Sequence, residues 1–144
     1  FNQLVRFTLS VARRRAEPLT LGWLDLDRFK EINDRYGHEE GDKALKVMAQ
    51  LMRSAFREAD MLVRFGGDEF AVLFADTDEQ GAWIAMQYLA EQVESYNARK
   101  LHPWSLHFSW GLSEFDHNGN DLQQWLKDAD GKMYAMKQQR QRAR

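Results

Sequence analysis

Four acidic residues in two separate stretches are the side chains best suited to carry chemistry. Asp25 and Asp27 end a short apolar run, and Asp68 and Glu69 directly follow two glycines. If these stretches meet at one sheet edge, their oxygens suit a hard cation such as Mg²⁺, which keeps substrate phosphates among its ligands. Two such ions can stabilise the attacking and leaving oxygens of a phosphoryl transfer. The pattern therefore predicts metal-assisted chemistry on a phosphate.

Each acidic residue also has a simpler structural explanation. Asp27 could cap a helix, and Asp68 could occupy a turn. Glu69 could pair across strands with Arg64. For acidic residues taken singly these roles are the more common ones. The hypothesis of a metal site therefore depends on convergence of the two stretches.

The elements that position these residues follow from the spacing of apolar side chains. Strands are expected over residues 19–26, 61–65, 70–74 and 105–113, and helices over residues 2–15, 80–98 and from about Asn120. A short helical stretch to about residue 36 precedes a loop at residues 37–41 and a helix that Asp42 caps. Gly66 and Gly67 supply the positive φ of a hairpin turn. The strand at 105–113 alternates apolar with small or polar residues, so one of its faces is expected to be core.

This order of elements predicts an α+β fold of palm or ferredoxin-like type, with helices flanking a mainly antiparallel sheet. The length of 144 residues fits a single domain spanning 1–144. The chain begins without methionine and opens in a helix-like stretch, so we expect a fragment of a longer protein that lacks an N-terminal sensory or regulatory part.

Charge and composition limit the kinds of partner and chemistry that the domain can have. A net charge of −2 creates no field that attracts nucleic acid or an anionic membrane, and the absence of cysteine excludes thiolate chemistry. No apolar run approaches the roughly 18 residues of a membrane span. We expect a cytoplasmic domain that makes no direct membrane contact, and a membrane anchor elsewhere in the parent protein stays open.

Two long motifs in this order resemble the GGDEF family of diguanylate cyclases. Residues 25–42 read DLDRFKEINDRYGHEEGD, residues 64–70 read RFGGDEF, and residues 129–137 read ADGKMYAMK. The resemblance covers nearly the whole chain. It implies a palm-like fold whose hairpin carries the GGDEF turn, and condensation of two GTP molecules into cyclic di-GMP with release of two pyrophosphates. It also implies a homodimer, because each subunit supplies one GTP.

The resemblance further implies roles for individual residues. Asp25, Asp68 and Glu69 are implied as catalytic carboxylates that bind Mg²⁺, or Mn²⁺ as an alternative, together with the backbone carbonyl of Leu26. Implied substrate contacts are close backbone approach at Gly66 and Gly67, main-chain N–H groups around Arg28 and Phe29, guanine recognition by Asn33 and Asp42, and a phosphate contact from Lys137. Without the resemblance, Asp42 would be interpreted as a helix cap and Asn33 as a turn residue.

Two further features concern regulation and affinity. Arg57 and Asp60 match the family's RxxD inhibitory site for cyclic di-GMP, although on its own this motif is more often a helix-end salt bridge. After Lys137 the family has Gly-Arg-Asn, whereas residues 140–142 here read RQR. No arginine is therefore in register, which leaves Arg140 or Arg142 as the substitute for the phosphate contact.

Three functions stay open at this point. The first is an active diguanylate cyclase that works as a homodimer and is inhibited by its product. The second is a weak or inactive receptor domain that binds cyclic di-GMP or GTP, and the third is another palm-type nucleotidyl cyclase or polymerase-like enzyme. The intact GGDEF sequence favours the first over the second, while Asn33 and Asp42 predict a guanine base.

Overall fold

The computed structural model describes residues 2–118 and 121–143, and the side chain of Arg142 lies outside that description. The elements in chain order are α1 (Asn2–Arg15), β1 (Leu19–Leu26), α2 (Phe29–Tyr36), α3 (His38–Ala55), β2 (Met61–Gly66), β3 (Glu69–Ala75), α4 (Glu79–Ala98), β4 (Phe108–Glu114) and α5 (Leu122–Ala143). Asn120, where the last helix was expected to begin, also lies outside the described residues. Within the described ranges, none of the helices has both the length and the apolar character needed to cross a membrane.

The four strands form one antiparallel sheet in the order β2-β3-β1-β4. The α2–α3 pair connects β1 to β2, and α4 connects β3 to β4. Strand β1 lies in the interior of the sheet, with β3 on one side and β4 on the other. This is the ferredoxin-like, palm-type arrangement, so the expected α+β fold class is confirmed.

Helices cover both faces of the sheet. Successive side chains of a strand point to opposite faces, so each central strand contributes to two cores. Leu24 and Leu26 belong to the larger core, which packs under α3 and α4. Leu19 and Leu21 face the opposite side, in a second core with α1 and α5. Burial on both faces explains why β1 and β3 are nearly continuous apolar runs.

Helix α3 begins earlier than expected. Residues 37–41 were predicted to be a loop with Asp42 as the helix cap, but α3 starts at His38 and Asp42 lies in its second turn. Gly37, at φ +94°, separates α3 from α2. Gly41 lies inside α3, where an added Cβ would come within 1.8 Å of the Asn33 Oδ1 atom. The prediction that Asp42 caps a helix is therefore wrong, and Gly41 permits close contact between two helices.

Strand β4 is buried on both faces: its predicted core face is confirmed, and the face with the small residues is buried as well. Ser109 and Ser113 are as inaccessible as the aromatic residues beside them. An added Cβ on Gly111 would lie 2.1 Å from the Ala129 carbonyl oxygen, because α5 packs directly on the strand backbone. The Trp125 Nε1–H donates to the Ser113 carbonyl at 2.6 Å. Small residues on this face reflect a close helix, not contact with solvent.

Candidate active site

The sheet register brings the two acidic stretches together. Asp25 lies directly opposite Glu69 in the β1–β3 pair. The Leu26 N–H donates to the Asp68 carbonyl at 3.1 Å, which continues the pairing into the hairpin turn. Asp25, Leu26, Asp68 and Glu69 therefore share one edge of the sheet, and we call this set the carboxylate edge.

The hairpin turn that carries Asp68 is fixed by backbone conformation and by one arginine. Gly66 and Gly67 have φ values of +111° and +55°, which side-chain-bearing L-residues rarely adopt. The Arg64 Nη2–H donates to the Gly67 carbonyl at 3.0 Å. Because Arg64 holds the turn, it forms no ion pair with Glu69 in the described part of the chain.

Asp25 is a largely buried carboxyl with an unusual environment. Its Oδ2 atom accepts a hydrogen bond from the Lys137 Nζ atom at 2.7 Å. Its Oδ1 atom is buried without a hydrogen-bond partner among the described residues. Burial is the main cause that raises the pKa of Asp25 from 3.8 to about 7; the nearby carboxylate of Asp68 raises it further, and Lys137 opposes the shift. The negative charge of Asp25 is therefore poorly stabilised by its surroundings.

Lys137 contacts the carboxylate edge although it lies 112 positions after Asp25 in the sequence. Helix α5 places its Nζ atom within 3.3 Å of the Leu26 carbonyl as well as on Asp25. These are two of the groups that the family resemblance implies as metal ligands. The residue that the resemblance implies as a phosphate contact is thus bonded to protein oxygens here.

A neighbouring cluster around Asp27 was missed by the sequence analysis. Asp27 accepts from the Ser109 Oγ–H at 2.8 Å and from the Arg140 Nη1–H at 3.4 Å. Arg140 also donates to the Phe108 carbonyl, and its guanidinium lies 5.5 Å from the Trp110 ring centroid. Asp27 does not cap α2, since Arg28 holds that position. The only sequence signal was that Arg140 follows Lys137 by three residues on one helix face.

The start of α2 lies next to the carboxylate edge. Arg28 has φ +57° and no side-chain hydrogen bond caps the helix. The Glu31 N–H donates to the Arg28 carbonyl at 3.1 Å, which leaves the N–H groups of Phe29 and Lys30 to other acceptors. Phe29, the first residue of α2, packs against the larger core. Asn33, on the same helix, reaches the backbone of Gly41 beside Asp42. The exposed Asp42 lines a groove of about 470 Å³.

The oxygen atoms on the carboxylate edge suit a divalent ion that takes its remaining ligands from elsewhere. Among the described residues, no group of three or more His, Cys, Asp or Glu side chains is arranged to hold a metal. Mg²⁺, however, is usually bound through one or two carboxylates together with substrate phosphates. Asp25, Asp68 and the Leu26 carbonyl supply this smaller set, and the unpartnered Oδ1 of Asp25 is an acceptor that a cation would satisfy.

Arg57 and Asp60 lie at the opposite end of β3 from Glu69, about 20 Å away along the strand. The Arg57 Nη2 atom is 3.2 Å from Asp60 Oδ1 and 2.6 Å from Thr77 Oγ1. The simple salt bridge considered from the sequence is therefore present. The same pair also lines a groove of about 640 Å³, together with Tyr88 of α4. We call this the RxxD groove.

Comparison with known proteins identifies the family. Residues 1–143 match the family model described as the GGDEF domain of diguanylate cyclases. The cyclic di-GMP phosphodiesterase NbdA of Pseudomonas aeruginosa is 36% identical over 129 residues, which cover 90% of this chain and 16% of NbdA. The probable diguanylate cyclase DgcC of Escherichia coli K12 is 32% identical over 134 residues, covering 93% of this chain and 36% of DgcC.

Fold comparison agrees with the sequence matches. A solved microbial GGDEF domain, described in its interaction with cyclic di-GMP, has a TM-score of 0.79 and 30% identity, and the match covers 94% of this chain and 83% of that one. The chain spans only 16% of NbdA and 36% of DgcC, so it corresponds to one part of those longer relatives. By sequence and by fold, this chain belongs to the GGDEF domain family.

Proposed function

We propose that this chain condenses two GTP molecules into cyclic di-GMP and two pyrophosphates. The observation that supports this most is the meeting of Asp25, the Leu26 carbonyl, Asp68 and Glu69 at one sheet edge. Family membership and relatives named diguanylate cyclases support a role in cyclic di-GMP synthesis. In the reaction each 3′-oxygen bonds to the α-phosphorus of the other nucleotide, each α-phosphorus loses pyrophosphate, and each hydroxyl loses its proton.

The carboxylate edge, the start of α2 and the turn glycines are each assigned a role from their positions. Mg²⁺, or Mn²⁺, held by Asp25, Asp68, Glu69 and the Leu26 carbonyl, would supply positive charge that polarises the α-phosphate and acidifies the attacking 3′-hydroxyl. The N–H groups at the uncapped start of α2, next to Arg28, donate hydrogen bonds to phosphate oxygens. The turn glycines let the hairpin backbone approach the nucleotide closely.

Base choice is assigned to Asn33 and Asp42. The Watson–Crick edge of guanine presents two donors and one carbonyl acceptor, so a carboxylate and an amide can satisfy it. Adenine would leave the carboxylate without its hydrogen bonds, which costs affinity. Asn33 of α2 lies against Gly41 of α3, and Asp42 follows Gly41 in the chain, so the two groups lie on adjoining helices. We therefore propose GTP, not ATP, as the substrate.

Turnover is proposed to need a homodimer. Each subunit binds one GTP, and the 3′-hydroxyl of each nucleotide must reach the α-phosphate of the other. Two carboxylate edges must therefore face one another during the reaction. A single subunit would bind GTP but form no cyclic product.

The decisive experiment is product analysis by chromatography, with GTP or ATP and Mg²⁺. Cyclic di-GMP is expected from GTP alone. Glu69→Gln should abolish product formation while the far-UV circular dichroism stays unchanged. Glu91→Gln, an exposed change on α4, is the matched control and should leave the rate unaltered. Wild-type rates in Glu69→Gln would overturn the assignment of the site.

We also propose that the RxxD groove binds cyclic di-GMP and thereby inhibits synthesis. Support comes from its volume of about 640 Å³ and from the Arg57–Asp60 pair that lines it. Arginine can bind guanine or phosphate through two parallel hydrogen bonds. Arg57→Ala should lower the affinity for cyclic di-GMP at least tenfold in calorimetry and weaken product inhibition to the same extent.

If the wild type binds cyclic di-GMP but makes none from GTP, the chain is a receptor domain and the cyclase proposal fails.

A further inference from the structure

The ammonium group of Lys137 lies where a cation is needed on the carboxylate edge. Its Nζ atom is 2.7 Å from Asp25 Oδ2 and 3.3 Å from the Leu26 carbonyl oxygen. Both side chains are mostly buried, with 18% of Lys137 and 13% of Asp25 exposed. The contact is therefore an enclosed ion pair and not a loose surface one, so its loss should be measurable.

The ammonium group and a divalent ion compete for the Asp25 carboxylate and for the Leu26 carbonyl oxygen. Mg²⁺ requires ligand oxygens at about 2.0–2.1 Å in near-octahedral geometry. An ammonium already bonded to Asp25 and Leu26 would then lie within about 4 Å of the ion, where like charges repel strongly. An ion bound to the Asp25 Oδ1 atom and the Leu26 carbonyl must therefore displace Lys137 from that carbonyl and, by charge repulsion, from Asp25 Oδ2.

The released side chain has an obvious second acceptor. Lysine carries a compact charge on a flexible four-carbon stem, so it can turn towards a phosphate without movement of its helix. The triphosphate of GTP brings several anionic oxygens to the place that the ion enters. One ammonium can thus neutralise Asp25 in the empty site or the triphosphate in the loaded site, but not both.

We infer that Lys137 is a built-in substitute for the metal ion, and that its transfer from Asp25 to the triphosphate makes the binding of metal and nucleotide mutually dependent. This inference rests on the proposed function. Without nucleotide, the ion must displace Lys137 from Asp25. The ammonium then keeps only Asp27, whose Oδ1 atom is 4.0 Å away and which already bonds Arg140, so metal binding is weak. With nucleotide, the displaced ammonium gains a partner, and by linkage each ligand strengthens the other.

The same helix offers a matched control. Lys132 bonds two carboxylates, Glu79 and Asp128, each at 3.3 Å, and donates to the Leu112 carbonyl at 3.1 Å. It therefore makes the same kinds of bond as Lys137, but away from the carboxylate edge. A substitution at Lys132 controls for loss of a lysine from α5.

The first test measures Mn²⁺ binding to the nucleotide-free protein by electron paramagnetic resonance of the free ion. Lys137→Met should bind Mn²⁺ about tenfold more tightly than the wild type, as expected when one competing charge-assisted hydrogen bond is removed. Lys137→Arg should stay near the wild-type value because it retains a cation, and Lys132→Met should not change. Equal or weaker Mn²⁺ binding in Lys137→Met would overturn the inference.

The second test uses the wild-type protein and needs no variant to fold. Lys137 is acylated with an amine-reactive ester and the modified peptide is quantified by mass spectrometry. Labelling of Lys137 should rise severalfold when Mn²⁺ is added and fall again when GTP is added with it, while labelling of Lys132 stays constant. Labelling that ignores Mn²⁺ would contradict the exchange. If the protein makes cyclic di-GMP but neither test responds, the inference fails and the proposed function stands; if no cyclic di-GMP forms, the proposed function itself fails.

Discussion

Replacing Gly111 with alanine should separate α5 from the sheet. The new Cβ would lie 2.1 Å from the Ala129 carbonyl oxygen and 2.4 Å from the Met133 amide nitrogen. Both are backbone atoms, so no side-chain rotation can relieve the clash, and the helix must move by about 1 Å. Overpacking of a core costs about 1–3 kcal/mol, and a clash with backbone belongs at the upper end. We therefore expect the free energy of unfolding to fall by about 3 kcal/mol.

The measurement is thermal and urea unfolding followed by circular dichroism. For a chain of this size, a loss of about 3 kcal/mol corresponds to a fall in Tm of about 10 °C. Gly131→Ala is the matched control, because Gly131 lies in α5 with nothing within 4 Å of an added Cβ. That change should raise stability by about 1 kcal/mol, since alanine is the better helix former. A Gly111→Ala variant within about 0.5 kcal/mol of the wild type would refute the close packing of α5 on β4.

Two further predictions concern the carboxylate edge and base recognition. In the folded protein the pKa of Asp25 is raised to about 7. Between about pH 4 and 7 the folded state therefore keeps a proton that the unfolded state has lost. The free energy of unfolding falls as the pH rises through this window. Asp25→Asn should remove this slope and be more stable than the wild type at pH 8 in EDTA, measured by urea midpoints; an unchanged slope would contradict the raised pKa. Asp42→Ala should raise the KM for GTP about tenfold or more. The free energy of unfolding, from urea titration, should stay within about 0.5 kcal/mol of wild type, because Asp42 lies within α3 and caps nothing. A loss of about 1 kcal/mol would restore the capping role.

The sequence was informative about elements because their patterns are local. Strand β1 could be recognised as an apolar run of buried length, and the hairpin from two glycines between apolar runs. The family motifs then implied which carboxylates meet, and the register placed Asp25 opposite Glu69. These features depend on neighbours in the chain or on motifs that occur together.

The features that the sequence did not predict depend on tertiary contacts. Glycine is typical of loops, but Gly41 lies within a helix, where an added Cβ would meet the Asn33 side chain of α2 at 1.8 Å. Ser109 and Ser113 alternate like solvent-facing residues, yet α5 covers them. Lys137 lies 112 positions after Asp25, and no local pattern connects an ammonium on the last helix with the first strand. The same holds for Arg140 and Asp27.

The turn at Gly67 imposes a requirement of handedness and not of size. Its φ is +55°, and an added Cβ would meet nothing within 4 Å. A D-alanine introduced there by chemical ligation would prefer the same φ, whereas L-alanine would not. The mirror-image residue thus preserves the hairpin while it adds a methyl group at the proposed nucleotide site. It therefore separates the effect of the left-handed turn from the effect of open space at that site.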